Sequence, residues 1–79
     1  MWSYDQVLAE LMRALREVTS LADLSSDTKL GEIADFDSLD LVEFVMYVET
    51  TFECDLDDAV YSDDTTIAEL ARAVWSRMR

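Results

Sequence analysis

One glycine, Gly31, and no proline stand in this 79-residue chain. Strands and tight turns draw on both residues as punctuation, so the chain reads as all-helical. Its length allows one domain, over residues 1–79, with no second core.

Apolar spacing predicts where the helices lie. The first is expected from about Ser3 to Thr19, because Ser3 and Gln6 have the spacing of a capping box. Val7, Leu8, Leu11, Met12, Leu15 and Val18 then share one face, opposite Glu10, Arg13, Arg16 and Glu17. Residues 20–37 hold no long period. They read as an ordered loop with a short turn of helix, pegged to the core by Leu21, Leu24, Leu30, Ile33 and Phe36. A second helix is expected to start at Asp37 or Ser38, both good cap residues, and to end near Phe52. A short third helix is expected at Asp57 to Tyr61. The last helix begins at Thr65 or Thr66, with Thr66 and Glu69 again at capping-box spacing. Ile67, Leu70, Ala71, Val74, Trp75 and Met78 form its apolar stripe, and Arg77 and Arg79 suit its negative C-terminal end. The expected fold is a small all-α four-helix bundle with a long first loop.

Charge narrows the function. Asp and Glu number 18 against 6 Lys and Arg, for a net charge of -12, and there is no His. Nucleic-acid binding needs clustered cations and is disfavoured, as is docking on an anionic membrane surface. A catalytic triad with His is excluded within the chain. Half the residues are hydrophobic, which a disordered acidic tail would lack. No apolar run reaches the roughly 20 residues of a membrane span, and residues 1–6 do not read as a signal peptide. The lone cysteine, Cys54, allows no internal disulfide and suits a reducing, cytoplasmic setting. The chain is expected to be monomeric.

The second helix carries more apolar surface than a small bundle uses. On a wheel, Leu41, Phe44, Val45, Val48 and Phe52 make the stripe expected to face the core. Leu39, Val42 and Met46 make another on a different side, and Asp40, Glu43, Tyr47 and Thr50 a polar strip. The extra stripe is either covered by the loop or the short third helix, or exposed as a docking surface flanked by carboxylates. From Leu30 to Ala71 there is no Lys or Arg. A field of one sign this large speeds encounter with basic partners.

The stretch from Asp37 to Phe52, DSLDLVEFVMYVETTF, strongly resembles the helix that carries the prosthetic group in acyl carrier proteins. The resemblance extends over the whole chain, through Asp55-Leu56 to Thr65-Thr66-Ile67. It implies that Ser38 is esterified with 4'-phosphopantetheine from coenzyme A by a separate phosphopantetheinyl transferase. The arm's thiol would then carry acyl groups as thioesters for fatty-acid, polyketide or related secondary-metabolite biosynthesis, and the chain itself would be no enzyme. The surrounding match puts modification ahead, although taken alone Ser38 reads more commonly as a plain helix cap. Lacking a nearby base, it is no self-activated nucleophile.

By the same resemblance, Leu39, Val42 and Met46 match apolar docking positions, and Asp37, Asp40, Glu43, Glu49 and Asp58 acidic ones. They would meet basic patches on the transferase and on acyl-loading and acyl-processing enzymes. Asp35 stands where the family often has Gly, Tyr61 where a small residue is usual, and Asp64 where an apolar residue often borders the acyl cavity. Thr50, Thr51, Ala59, Val60 and Ser62 replace residues that tend to be acidic in fatty-acid carriers. These departures suggest a specialised carrier. A charged Asp64 is expected to face water.

One rival reading is open and another fails. An unmodified acidic module of carrier-like fold would bind a basic protein and would not need Ser38. A calcium loop starting at Asp55 fails, because Val60 and Thr66 stand where Gly and Glu are required.

Overall fold

The computed structural model describes residues 2–19, 24–33, 36–56 and 61–78. Among them lie three α-helices, α1 (Tyr4–Thr19), α2 (Ser38–Phe52) and α3 (Ile67–Arg77), and a 3-10 turn at Leu30–Glu32. The turn is the short helical element expected in the first loop. No strand occurs among the described residues, where Lys29 and Thr66 form an isolated antiparallel bridge. Leu21, Asp35, Asp57, Asp58, Ala59, Val60 and Arg79, together with the side chain of Val18, lie outside the described residues. So does most of the expected short third helix.

Each helix begins where its cap requires. The Ser3 hydroxyl accepts from the Gln6 amide at 3.2 Å, and the Gln6 side chain accepts from the Ser3 amide at 2.9 Å. Thr66 and Glu69 do the same for α3, at 3.1 and 3.0 Å. A helix leaves its first amides without internal partners. In α3 the loop supplies them: Ile67 N–H donates to the Thr28 carbonyl at 3.0 Å and Ala68 N–H to that of Ser26 at 2.9 Å.

The same loop is stapled further along, by Leu30 N–H to Thr65 O at 2.9 Å and Gly31 N–H to Asp63 O at 3.0 Å. Gly31 is needed there. A Cβ on it would lie 2.7 Å from Asp63 Cβ and 2.9 Å from the Asp63 carbonyl oxygen. The loop pegs Leu24, Leu30 and Ile33 are buried as expected, and Phe36 is half-buried, edge-on to Phe44.

α1 packs mainly on α3 and to a lesser extent on α2. Val7, Leu11, Leu15, Val48, Ile67, Leu70 and Val74 are fully buried between them. Trp75 departs from the expected stripe: it is half exposed and packs edge-on with Tyr4.

Tyr47 also departs from its expected place on the solvated strip of α2. It packs against the core, and its hydroxyl donates to Glu10 of α1 while accepting from Arg13 at 2.9 Å. Arg13 also bonds Glu10 directly and Glu17 at 2.8 Å. Arg13, with a smaller contribution from Tyr47, holds the Glu10 carboxyl at about 2, well below its ordinary value, against the opposing effect of burial. The bond to Glu10 and burial together raise the Tyr47 phenol, which keeps its proton. This clasp joins α1 to α2 at the edge of the core. No helix among the described residues is long and apolar enough to cross a membrane.

Candidate functional site

The start of α2 is built by two aspartates. Asp37 is the N-cap, and its carboxylate accepts from the Asp40 amide at 2.9 Å. Asp40 answers by accepting from the Asp37 amide at 3.3 Å. Both carboxylates lie at the positive end of the helix dipole, which favours them. Sequence reasoning divided the cap between Asp37 and Ser38, and the structure assigns it to Asp37.

Ser38 therefore stands in the first turn, exposed, and its hydroxyl makes no hydrogen bond among the described residues. Among the described residues no side chain is hydrogen-bonded to it as an activating base would be, and the Asp37 and Asp40 carboxylates each accept a capping bond. The residue is accessible and unactivated, which suits chemistry performed on it by another protein.

Ser38 borders a cleft of about 230 Å³ lined by Leu30, Gly31, Leu41, Tyr61 and Asp63, among others. A second cleft, of about 360 Å³, continues over Leu41, Val42, Val45 and Met46 and shares Leu41 and Tyr61 with the first. Leu41 and Val45, assigned to the core by the wheel, are only half-buried because they face these clefts. Asp64 faces solvent as expected.

The outer stripe of α2 is exposed. Leu39, Val42 and Met46 are 65%, 54% and 63% accessible, while Phe44, Val48 and Phe52 fill the core. Asp37 and Glu43 are exposed beside them, and Asp40 is half-buried. Glu49 belongs with them less than its sequence position suggests. It is half-buried, and its carboxylate accepts from the Leu56 amide at 3.1 Å, tying down the chain after α2. Asp58, the last acidic candidate, lies outside the described residues.

The C-terminus of α2 turns at Glu53, whose φ of 52° and ψ of 52° are left-handed. Cys54 follows, buried, and burial raises its thiol above the ordinary range. That makes it an inert packing residue.

Tyr61 is the residue that sequence reasoning left outside the site. It walls both clefts, and its hydroxyl is buried with no hydrogen-bond partner among the described residues. The available signal was its size at a position where the resembling family has a small residue.

An accessible serine free of capping duty, on a helix whose first turn takes an anion well, fits a phosphodiester-linked arm. No curated protein and no solved structure gives a significant match to the chain. The family model described as the phosphopantetheine attachment site matches residues 7–74, from α1 through nearly all of α3. That span covers most of the chain, which therefore belongs to the phosphopantetheine attachment site family, as a carrier domain of the acyl carrier protein kind that takes 4'-phosphopantetheine as its covalent cofactor.

Proposed function

We propose that Ser38 is the attachment residue and that the whole chain is a single, non-catalytic carrier domain. The observation that carries this is the exposed Ser38 hydroxyl at the first turn of α2, left free because Asp37 provides the cap. In loading, the Ser38 oxygen bonds to the phosphorus that bears the pantetheine arm of coenzyme A. The phosphoanhydride bond breaks, adenosine bisphosphate leaves, and the hydroxyl proton passes to a base of the phosphopantetheinyl transferase. Once bound, the arm supplies a terminal thiol on which acyl groups ride as thioesters.

The chain's own residues present that arm. Leu39, Val42 and Met46 offer an apolar strip next to the attachment point. Asp37, Asp40 and Glu43 flank it with negative charge, Glu49 adds to the field although its carboxylate is tied to the Leu56 amide, and Asp58 joins them by sequence. A transferase or acyl-processing enzyme with a basic rim and an apolar socket complements this surface. Charge steers the encounter, and the apolar strip contributes most of the affinity. The replacement of acids by Thr50, Thr51, Ala59, Val60 and Ser62 supports a specialised carrier, in polyketide or other secondary-metabolite assembly, over a fatty-acid one.

Labelling with a fluorescent coenzyme A analogue and a broad-specificity transferase tests the assignment. The native chain is expected to take the label and Ser38→Ala to take none. Label retained by folded Ser38→Ala would overturn it.

A further inference from the structure

The two flanks of α1 meet different surroundings. On one, Glu10 and Arg13 bond Tyr47 of α2. Tyr4, Leu8, Met12 and Arg16 recur every fourth residue, so they form a row on the flank turned away from those two. That row borders α3 at its start. The Tyr4 hydroxyl donates to the Ala68 carbonyl at 3.3 Å, and its ring stands edge-on to Trp75 with centroids 6.3 Å apart. Tyr4, Leu8 and Met12 pack on the core yet stay half-buried. Among the described residues, Trp75 is the exposed large apolar side chain that does not belong to the Leu39, Val42 and Met46 stripe of α2.

Charge on this face runs against the rest of the molecule. Arg16 ends the row on α1, and Arg72 lies one turn before Trp75 on α3. Both are exposed, and neither forms an ion pair among the described residues. From Leu70 to Arg79 the chain holds Arg72, Arg77 and Arg79 and no Asp or Glu. Arg77 turns to another cleft, with Glu49, Glu53 and Asp55. Of the acids near the face in sequence, Glu69 is held in the α3 cap and Asp5 stands in the first turn of α1. The two exposed apolar surfaces are thus opposite in sign. The α2 stripe is flanked by Asp37, Asp40 and Glu43, and the Trp75 face by Arg16 and Arg72. A partner with acids around an apolar ridge is repelled by the first and complemented by the second. An anionic membrane is the poorer fit, because a broad charged plane meets the whole chain, at net charge -12, and not this face alone.

We propose that the α1–α3 face of Tyr4, Leu8, Met12 and Trp75, rimmed by Arg16 and Arg72, docks an acidic amphipathic helix of a partner protein. The apolar ridge of that helix lies along the row and against Trp75, and its carboxylates meet the two guanidinium groups. The face shares no residue with the α2 stripe or with the clefts beside Ser38. A partner held there leaves Ser38 open to a second protein, and the inference stands independently of what Ser38 carries.

The probe is an acetylated, amidated peptide of about 15 residues, rich in Glu, with Leu at i, i+3, i+4 and i+7. Its control has Gln in place of every Glu. Backbone amide and indole NMR shifts of the native chain are followed through a titration at about 150 mM salt, where screening acts within about 8 Å. Saturable shifts are expected at Tyr4, Leu8, Met12, Arg16, Arg72 and Trp75, with the Gln peptide binding about tenfold more weakly or worse. Trp75→Ala, and Arg16→Gln with Arg72→Gln, are each expected to weaken binding about tenfold or more with near-native melting curves, because all three side chains are exposed. Ser38→Ala is expected to bind like the native chain. No saturable shift, shifts centred on Leu39, Val42 and Met46, or equal binding of the two peptides would overturn the inference. So would binding of vesicles of phosphatidylglycerol and phosphatidylcholine through Trp75 without binding of the Glu peptide, or peptide-free self-association that Trp75→Ala abolishes. None of these outcomes touches the Ser38 assignment.

Discussion

Adjacent side chains at the start of α2 have opposite duties, and two single substitutions separate them. Asp37 holds the cap through its 2.9 Å bond from Asp40 N–H, while the Ser38 hydroxyl holds nothing among the described residues. Truncating an Asp cap to Ala costs about 1 kcal/mol. The reciprocal bond from the Asp37 amide to the Asp40 carboxylate survives in Asp37→Ala, so the loss is one bond and one favourable dipole contact. Removing one charge from a chain of net charge -12 offsets a small part of this. The net is about 1 kcal/mol, or a fall in midpoint of about 4–8 °C for a domain of this size. Asp37→Asn keeps an oxygen acceptor and is expected to recover most of the fall. Ser38→Ala exchanges an exposed residue for a better helix former and is expected to stay within about 0.5 kcal/mol of the native chain. Thermal and urea denaturation of the four proteins decide the matter. A Ser38→Ala that loses as much as Asp37→Ala would make Ser38 a cap and refute the division of labour.

Other substitutions probe the rest of the account. Gly31→Ala drives a methyl into the Asp63 backbone and is expected to cost about 1–3 kcal/mol in urea denaturation; an unchanged midpoint would mean the loops are not stapled there. Glu53→Gly relieves a left-handed φ of 52° and is expected to raise stability by about 0.5 kcal/mol or more, read by the same denaturation. Arg13→Gln releases Glu10, whose carboxyl should rise in an NMR titration from about 2 towards its ordinary 4.5. Because the folded value is depressed, the stability Glu10 contributes is present above pH 4.5 and lost as pH falls towards 2. The gap in stability between native and Arg13→Gln should therefore narrow across that window. Val42→Asp with Met46→Asp leaves the core untouched and is expected to slow loading by the transferase at least tenfold with a near-native melting curve; unchanged loading kinetics would remove the stripe from docking.

What the sequence made legible followed from periodicity and local capping. Ser3, Thr66 and the apolar stripes of α1 and α3 declared themselves through spacing, and the loop pegs Leu24, Leu30 and Ile33 through isolation in polar sequence. The surplus stripe of Leu39, Val42 and Met46 was visible because the core needed only one face of α2. Other features depend on contacts between distant segments. Asp37 read both as a cap and, by the resemblance, as a docking acid, but the answering bond to Asp40 went unread because Asp at the third helical position is a less familiar capping partner than Glu. Tyr47 read as solvated because its partners, Glu10 and Arg13, lie on another helix. Glu49 matched a docking position, but its bond to Leu56 arises only once the chain turns at Glu53. The unpaired state of the Tyr61 hydroxyl is likewise a property of packing that no local pattern encodes.

The central claim is that Ser38 bears the arm. Intact mass before and after incubation with coenzyme A and a phosphopantetheinyl transferase, followed by peptide mapping, tests it most directly. The account predicts a gain of one phosphopantetheine, located on the peptide containing Ser38 and absent in Ser38→Ala. No gain on folded native protein, or a gain mapped to any other residue, would contradict it.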